Sequence, residues 1–362
     1  MYRGQWGLRP LAAASRHCRN AVRAHVRRGI WTCGGTYFKR ICVATDCTKS
    51  LPVPWTRKLE RHTTTLVDGC LVVVAGFEAY EDYTAAVAKV WRFDLVDYKW
   101  APWWALGSWR HHHCSASVGG DVYVVSGTSG IEDDLWAPIE IISPTEEHKM
   151  RALTTMNPQV AWHGDLSKRS LPACSALGRF IYVAGGLLRD TWDRYSACDV
   201  NRVSRLDTET GEWVNVAPMR NVRRDFSLLA HGGYLYAIGG KQNARGMHYV
   251  TTDDDSDASS GEFEEVLEFE RYNPERDEWE DLGRILPDHD RYSYSDVAAV
   301  ADGRLWIICW RRIPQPGSPY AGRSFLARYD AASNTFLEGA EILGDSGGQT
   351  GELGNAAAVA AI

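Results

Sequence analysis

Apolar residues in this chain come in bursts of four or five, and each burst runs into small residues. Phe180–Ala184 reads FIYVA and is followed by Gly185-Gly186. The same phrase stands as IWTCGG ending at Gly35, LVVVAG at Gly76, VYVVSG at Gly127 and YLYAIGG at Gly240. LWIICW, ending at Trp310, keeps the apolar run and replaces both glycines. Short apolar runs bounded by glycine predict buried β-strands. A second mark follows each run, an Asp-like residue and then an aromatic six positions later. It reads Phe93-Asp94 to Trp100, Leu206-Asp207 to Trp213, Tyr272-Asn273 to Trp279, and Tyr329-Asp330 to Phe336. Asp46 to Leu51 and Ile142-Ser143 to Met150 are looser versions.

The order and spacing of these marks predict a repeat array. A glycine pair lets the backbone take positive φ, or approach a neighbour closely, where a strand ends. The aromatic later in the unit can lie over that gap and seal one unit against the next.

Composition adds limits. The 362 residues include 15 Trp and 16 Tyr, types that suit pleated, half-buried surfaces. The formal charge of −6 lacks the basic footprint of a general nucleic-acid binder. No run approaches the roughly 20 apolar residues that span a bilayer. Nine Cys without a C-x-x-C pair suggest reduced thiols, several used as small hydrophobes, and a cytoplasmic protein. Residues 1–45 contain no Asp or Glu, and Arg recurs through them. Leu11, Ser15, Cys18, Val22 and Val26 fall at helical steps before Gly29. A short helix over 1–29 is expected, as the end of a helical domain or as a targeting segment.

With its strand-plus-diglycine runs and Asp-to-aromatic marks, the chain over 30–362 resembles the Kelch-repeat family. The resemblance implies an all-β, six-bladed β-propeller of four-stranded blades. Innermost strands would be His62–Val67, Ser115–Val118, Ala173–Leu177, Phe226–Ala230 and Ser295–Val300. The final GNAAAVAAI would pair beside the N-terminal strands and close the ring, removing exposed edges. Ser15–Val26, SRHCRNAVRAHV, resembles the last BACK helix of kelch-like proteins, in which BTB and BACK domains precede the propeller. The chain would then lack the BTB domain and most of the BACK domain. By resemblance the full-length protein would be a substrate adaptor of a cullin-3 ubiquitin ligase, contacting cullin-3 only through those missing regions. Actin binding, known in some Kelch proteins, is a second class. A sugar-active propeller enzyme is a third.

Candidate chemistry is sparse. His111-His112-His113 alternate in direction if they lie on a strand, so they read as rim or strand-end histidines and not as a metal site. Asp253, Asp255, Asp257 and Glu264 have calcium-loop spacing, but Ala258 stands where the loop needs Gly; an acidic surface loop is expected. Ser256, Ser259 and Ser260 are candidate phosphorylation sites in that loop. H-E-x-x-H, P-loop and Rossmann patterns are absent. No cofactor, no metal and no catalytic residue is expected.

The candidate binding face is the loop rim, between strands D and A of successive blades and between B and C within a blade. Its residues are Arg61, Arg110, His111, Arg169, Arg223, Arg224, Arg291 and Tyr292 from the first set, with Tyr83, Trp136, Trp192 and Tyr195 from the second. Arg, Tyr and Trp combine large contact area with directional donors. A rim of cations suits a protein substrate or an acidic peptide motif. Arg223 and Arg291 are expected at the surface, so that removing both would abolish capture and spare the fold.

Overall fold

The computed structural model describes residues 29–33, 38–42, 48–79, 84–128, 139–143, 150–153, 166, 169–189, 196–243, 249–250, 263–286, 292–312, 322–341 and 357–360. The segment 1–28, the first glycine pair and Asp253–Asp257 lie outside them. Each apolar burst is the second strand of a four-stranded antiparallel meander. Six such sheets stand among the described residues.

Sheet 1 holds Gly29–Cys33, Phe38–Cys42 and Thr48–Leu51, with Ala357–Ala360 antiparallel to Gly29–Cys33 on its inner edge. Sheet 2 holds Thr63–Val67, Cys70–Ala79, Thr84–Asp94 and Lys99–Ala105. Sheet 3 holds Cys114–Val118, Asp121–Val125, Ile139–Ile142 and Met150–Leu153. Sheet 4 holds Ala173–Leu177, Phe180–Ala184, Val203–Asp207 and Trp213–Val216. Sheet 5 holds Ser227–His231, Tyr234–Ile238, Glu268–Asn273 and Glu278–Arg284. Sheet 6 holds Tyr292–Ala301, Arg304–Arg312, Gly322–Asp330 and Thr335–Glu341. The inner strands neighbour one another in this order, and that of sheet 6 returns to Ala357–Ala360. The inner strands predicted for sheets 2 to 5 lie within one residue of those found.

The two sequence marks have separate mechanical roles. The glycine that ends an apolar run ties one sheet to the next. Gly76, Gly127 and Gly186 donate their N–H to the carbonyls of Arg110, Arg169 and Arg223, at 3.1, 3.1 and 2.8 Å. Gly127 sits at φ 93°, and a Cβ there would lie 2.7 Å from the His111 carbonyl oxygen. Gly186, at φ 100°, repeats this against the Ser170 carbonyl at 2.8 Å. No side chain fits either place without moving backbone.

The Asp-like residue of the second mark folds the hairpin between the last two strands. Asp94 Oδ1 accepts the N–H groups of Val96 and Asp97, and Asn273 Oδ1 accepts that of Glu275. The aromatic then reaches the preceding sheet. Trp100 Nε1 donates to the Pro52 carbonyl and Trp279 Nε1 to that of Ala217, at 2.8 and 2.9 Å. Trp213 is buried in one cluster with Ile139 and Ile141 of sheet 3 and Ile181 and Leu206 of its own sheet.

Candidate functional site at the turns entering the inner strands

Four turns lead into the inner strands of sheets 2 to 5, and they correspond residue by residue. They read Leu59-Glu60-Arg61-His62, Arg110-His111-His112-His113, Arg169-Ser170-Leu171-Pro172 and Arg223-Arg224-Asp225-Phe226. The second residue of each pairs with the residue just beyond a glycine: Glu60 with Phe77, His111 with Thr128, Ser170 with Leu187 and Arg224 with Lys241. The third residue is left-handed in all four, at φ 53°, 56°, 56° and 51° for Arg61, His112, Leu171 and Asp225. Such a run of non-glycine residues at positive φ marks a backbone over-determined by its surroundings.

The first position points into the sheet. Arg110 donates from Nη2 to Glu140 Oε1 at 2.6 Å, and Arg223 does the same to Glu270 Oε1 at 2.6 Å. Glu140 also accepts the N–H of Gly107 and the Ser108 hydroxyl, while Glu270 accepts the N–H groups of Arg220 and Asn221. Register explains the recurrence, because Glu140 pairs with Val124 and Glu270 with Ala237, the same station on the second strands of sheets 3 and 5. Ser204 holds that station in sheet 4, opposite Val183, and Arg169 there donates to the Arg202 carbonyl at 3.4 Å.

The fourth position faces the preceding sheet. His62 Nε2 donates to the Cys33 carbonyl at 3.0 Å, and His113 Nε2 lies 3.0 Å from Thr63 Oγ1. Burial pushes the His62 imidazole down to about 4 and holds His113 well below its usual value, the Arg110 charge adding to the second effect. Both rings are therefore neutral spacers at pH 7.

The third position turns toward the axis of the ring. The Leu171 N–H donates to the His112 carbonyl at 2.8 Å, and the Asp225 N–H donates to the Leu171 carbonyl at 3.3 Å. This stepwise contact brings the turns of sheets 3, 4 and 5 together. Arg61 arrives from sheet 2, three places from sheet 5 in either direction, and its Nη1 meets Asp225 Oδ1 at 3.0 Å. Lys241 Nζ meets the other carboxylate oxygen at 2.7 Å. Burial alone would raise the Asp225 pKa, but Arg61 and Lys241 outweigh it and hold the group below the usual carboxylate range. Nearby, Arg224 pairs with Asp199 at 2.7 Å, and Asp199 also accepts the Asn243 N–H at 2.8 Å. Burial keeps Asp199 above its ordinary value despite that partner. The Arg224 guanidinium lies 4.5 Å from the centroid of the exposed Phe263 ring.

The sequence-expected rim residues divide sharply against this frame. Arg61 is at the mouth of the ring and partly exposed. Arg110, Arg169, Arg223, Arg224 and His111 are all buried, which corrects their placement as surface contacts. Four are tied by the ion pairs and carbonyl contact above, and His111 stacks on Phe77 with centroids 3.9 Å apart. The expectation that Arg223 could be removed without touching the fold is overturned by its full burial against Glu270. Tyr292 begins the inner strand of sheet 6, in register with Arg311. Tyr83, Trp136, Trp192, Tyr195 and Arg291 lie outside the described residues. Asp225, Lys241 and Asp199 were missed, although aligning the four turns against one another in sequence would have put Asp225 in register with Arg61. His111 Nδ1 and His112 Nδ1 are 2.9 Å apart, and among the described residues no three His, Cys, Asp or Glu side chains converge as metal ligands.

Comparison with known proteins agrees with this repeating geometry. A Kelch motif model matches residues 168–220, which cover the turn, both sequence marks and all four strands of sheet 4. The chain carries a Kelch repeat. Kelch-like protein 26 of Mus musculus is 32% identical over 133 residues, or 37% of this chain and 18% of that protein. Kelch-like protein 33 of Homo sapiens is 29% identical over 38% of this chain and 23% of its own length. Beta-scruin of Limulus polyphemus is 26% identical over 49% of this chain and 18% of its own. The matches thus span less than a quarter of these relatives. The solved structure of YjhT covers 84% of this Kelch-repeat chain and 92% of its own, with a TM-score of 0.56 and 14% identity, a likeness of fold. No helix among the described residues is long and apolar enough to cross a membrane.

Proposed function

We propose that this Kelch-repeat protein is a non-catalytic recognition module, a six-bladed propeller that binds a protein partner through the end of the ring where the four turns converge. The observation that supports this most directly is the third turn position. Its backbone repeats four times, yet it carries Arg61, His112, Leu171 and Asp225, four different chemistries on one frame. At the other three positions of these turns every residue except Glu60 is buried, whereas all four third-position residues are part-exposed, so the third position is the one that the turns present to the mouth. Lys241 and the exposed Phe263 extend that surface.

The Kelch resemblance extends this to a cytoplasmic substrate adaptor for a cullin-3 ubiquitin ligase, with the cullin contact made by BTB and BACK regions. F-actin is the second partner class, following the same resemblance. The test is affinity capture compared between the unmodified protein and an Arg61→Glu, Lys241→Glu double variant. A specific partner held by the first and lost by the second, with the second still folded at the temperature of the assay, is expected. Retention by both would move the binding face elsewhere, and co-sedimentation of the unmodified protein with F-actin would select the cytoskeletal reading.

A further inference from the structure

We infer that Asp225 is a built-in occupant of a carboxylate-binding subsite, whose two cations, Arg61 and Lys241, take an acidic side chain of a partner peptide. The inference rests on the proposed recognition face and names what its centre reads.

Three observations carry it. First, each Asp225 oxygen has its own cation, Oδ1 with Arg61 at 3.0 Å and Oδ2 with Lys241 at 2.7 Å, so the cradle has the two-point form that reads a carboxylate. Second, exposure is asymmetric. The side chains of Arg61 and Lys241 are 29% and 35% exposed, whereas that of Asp225 is 7% exposed. The cations therefore present outward what the internal carboxylate holds from within. Third, two cations turn to one carboxylate. Arg224 pairs with Asp199, while Arg61 and Lys241 both face Asp225, with Glu265 across the strand pair from Lys241. A second carboxylate can displace Asp225 or share the cations with it. Phe263, 37% exposed with the Lys241 ammonium 5.8 Å from its centroid, gives the residue beside that acid an aromatic surface to lie on. A peptide uses both features, which a free carboxylic acid does not.

The test is fluorescence anisotropy with a fluorescein-labelled hexaglutamate peptide at low salt. Asp225→Asn keeps the side-chain shape, and Asn tolerates the left-handed backbone at φ 51°. It frees both cations, and binding should tighten by about tenfold, corresponding to ~1.4 kcal/mol. Adding Arg61→Gln or Lys241→Gln should abolish that gain. Should Asp225→Asn not fold, Asp225→Gly removes the carboxylate and suits the same backbone. Unchanged or weaker binding by a folded Asp225 variant overturns the inference, because Asp225 would then be organising the cations and not occupying their site. The two readings fail separately. If hexaglutamate ignores Asp225 and Arg61 while a captured partner still needs Arg61, the subsite falls and the recognition face stands. If hexaglutamate responds as expected while capture is indifferent to Arg61 and Lys241, the subsite stands and the proposed face falls.

Discussion

Leu59–His62 and Arg223–Phe226 occupy the same place before the inner strands of sheets 2 and 5, with left-handed third residues at φ 53° and 51°. Their side chains nevertheless do different work. Arg223 is wholly buried on Glu270, where its counterpart is Leu59, also buried, in an apolar cluster with Leu71 and Phe93. Position one therefore accepts either an ion pair or a hydrocarbon, provided that the space is filled. Position three carries Arg61 in one turn and Asp225 in the other, and the two meet across the ring at 3.0 Å. One backbone thus separates a packing position from a surface position two residues away. Nearby arginines in sequence cannot be assumed to share a role.

The deepest change should come from breaking the first position. Arg223→Ala leaves the Glu270 carboxylate buried without its cation, and we expect a loss of about 3–5 kcal/mol by chemical denaturation. Replacing both partners, as Arg223→Met with Glu270→Leu, should recover most of it, since Leu59 shows that an apolar filling is compatible with this turn. A double variant as unstable as the single one would show that sheet 5 depends on the charges themselves. Gly186→Ala should follow in size. The added Cβ meets the Ser170 carbonyl at φ 100°, a strain of roughly 1–3 kcal/mol, and it strikes the hydrogen bond to Arg223 that joins sheets 4 and 5. Gly178→Ala is the control, with positive φ and nothing within contact distance.

These comparisons also show what could be read from the chain. The strand bursts, the glycines that end them and the Asp-to-aromatic marks are local, and in the described residues of sheets 2, 4 and 5 they do what their spacing suggests. Trp100 and Trp279 do bridge to the preceding sheet, as the sealing role requires. The burial of Arg110 and Arg223 is not local. Their partners Glu140 and Glu270 lie 30 and 47 residues downstream, on third strands whose register against the second strand decides the meeting. A count of rim arginines has no access to that register. The Arg61–Asp225 pair is more remote still, 164 residues apart and joined only because the ring brings opposite sheets together.

Acid should separate the fourth position from the third. His62 and His113 are neutral in the folded protein, with His62 down at about 4, and both take a proton near 6.5 when unfolded. The unfolded chain therefore binds more protons as pH falls from about 6.5 toward 4, and stability should drop through that window. Each histidine contributes at most ~1.4 kcal/mol per pH unit. Asp225 acts lower: its depressed pKa stabilises the fold above the ordinary carboxylate value and is lost only below it. Denaturation midpoints at pH 7.0 and 5.0 should thus converge in His62→Gln, His113→Gln relative to the unmodified protein. An unchanged pH dependence would place the acid sensitivity elsewhere.

The smallest stability effect is expected at the mouth, and its smallness is informative. Arg61–Asp225 and Arg223–Glu270 are both close pairs, at 3.0 and 2.6 Å, but the Arg61 side chain is 29% exposed and that of Arg223 is 0%. Solvent reaching Arg61 screens the attraction, so the coupling in a double-mutant cycle of Arg61→Gln with Asp225→Asn should be about 1 kcal/mol or less. Raising NaCl to about 1 M, where the screening length is near 3 Å, should remove most of it. The buried Arg223–Glu270 coupling should persist under the same conditions. If salt erased both, the mouth and the interior would share one electrostatic environment, and position three would lose its distinction as a surface free to be reshaped. If salt erased only the first, the residues that can change without unfolding the ring are those the ring turns toward its mouth.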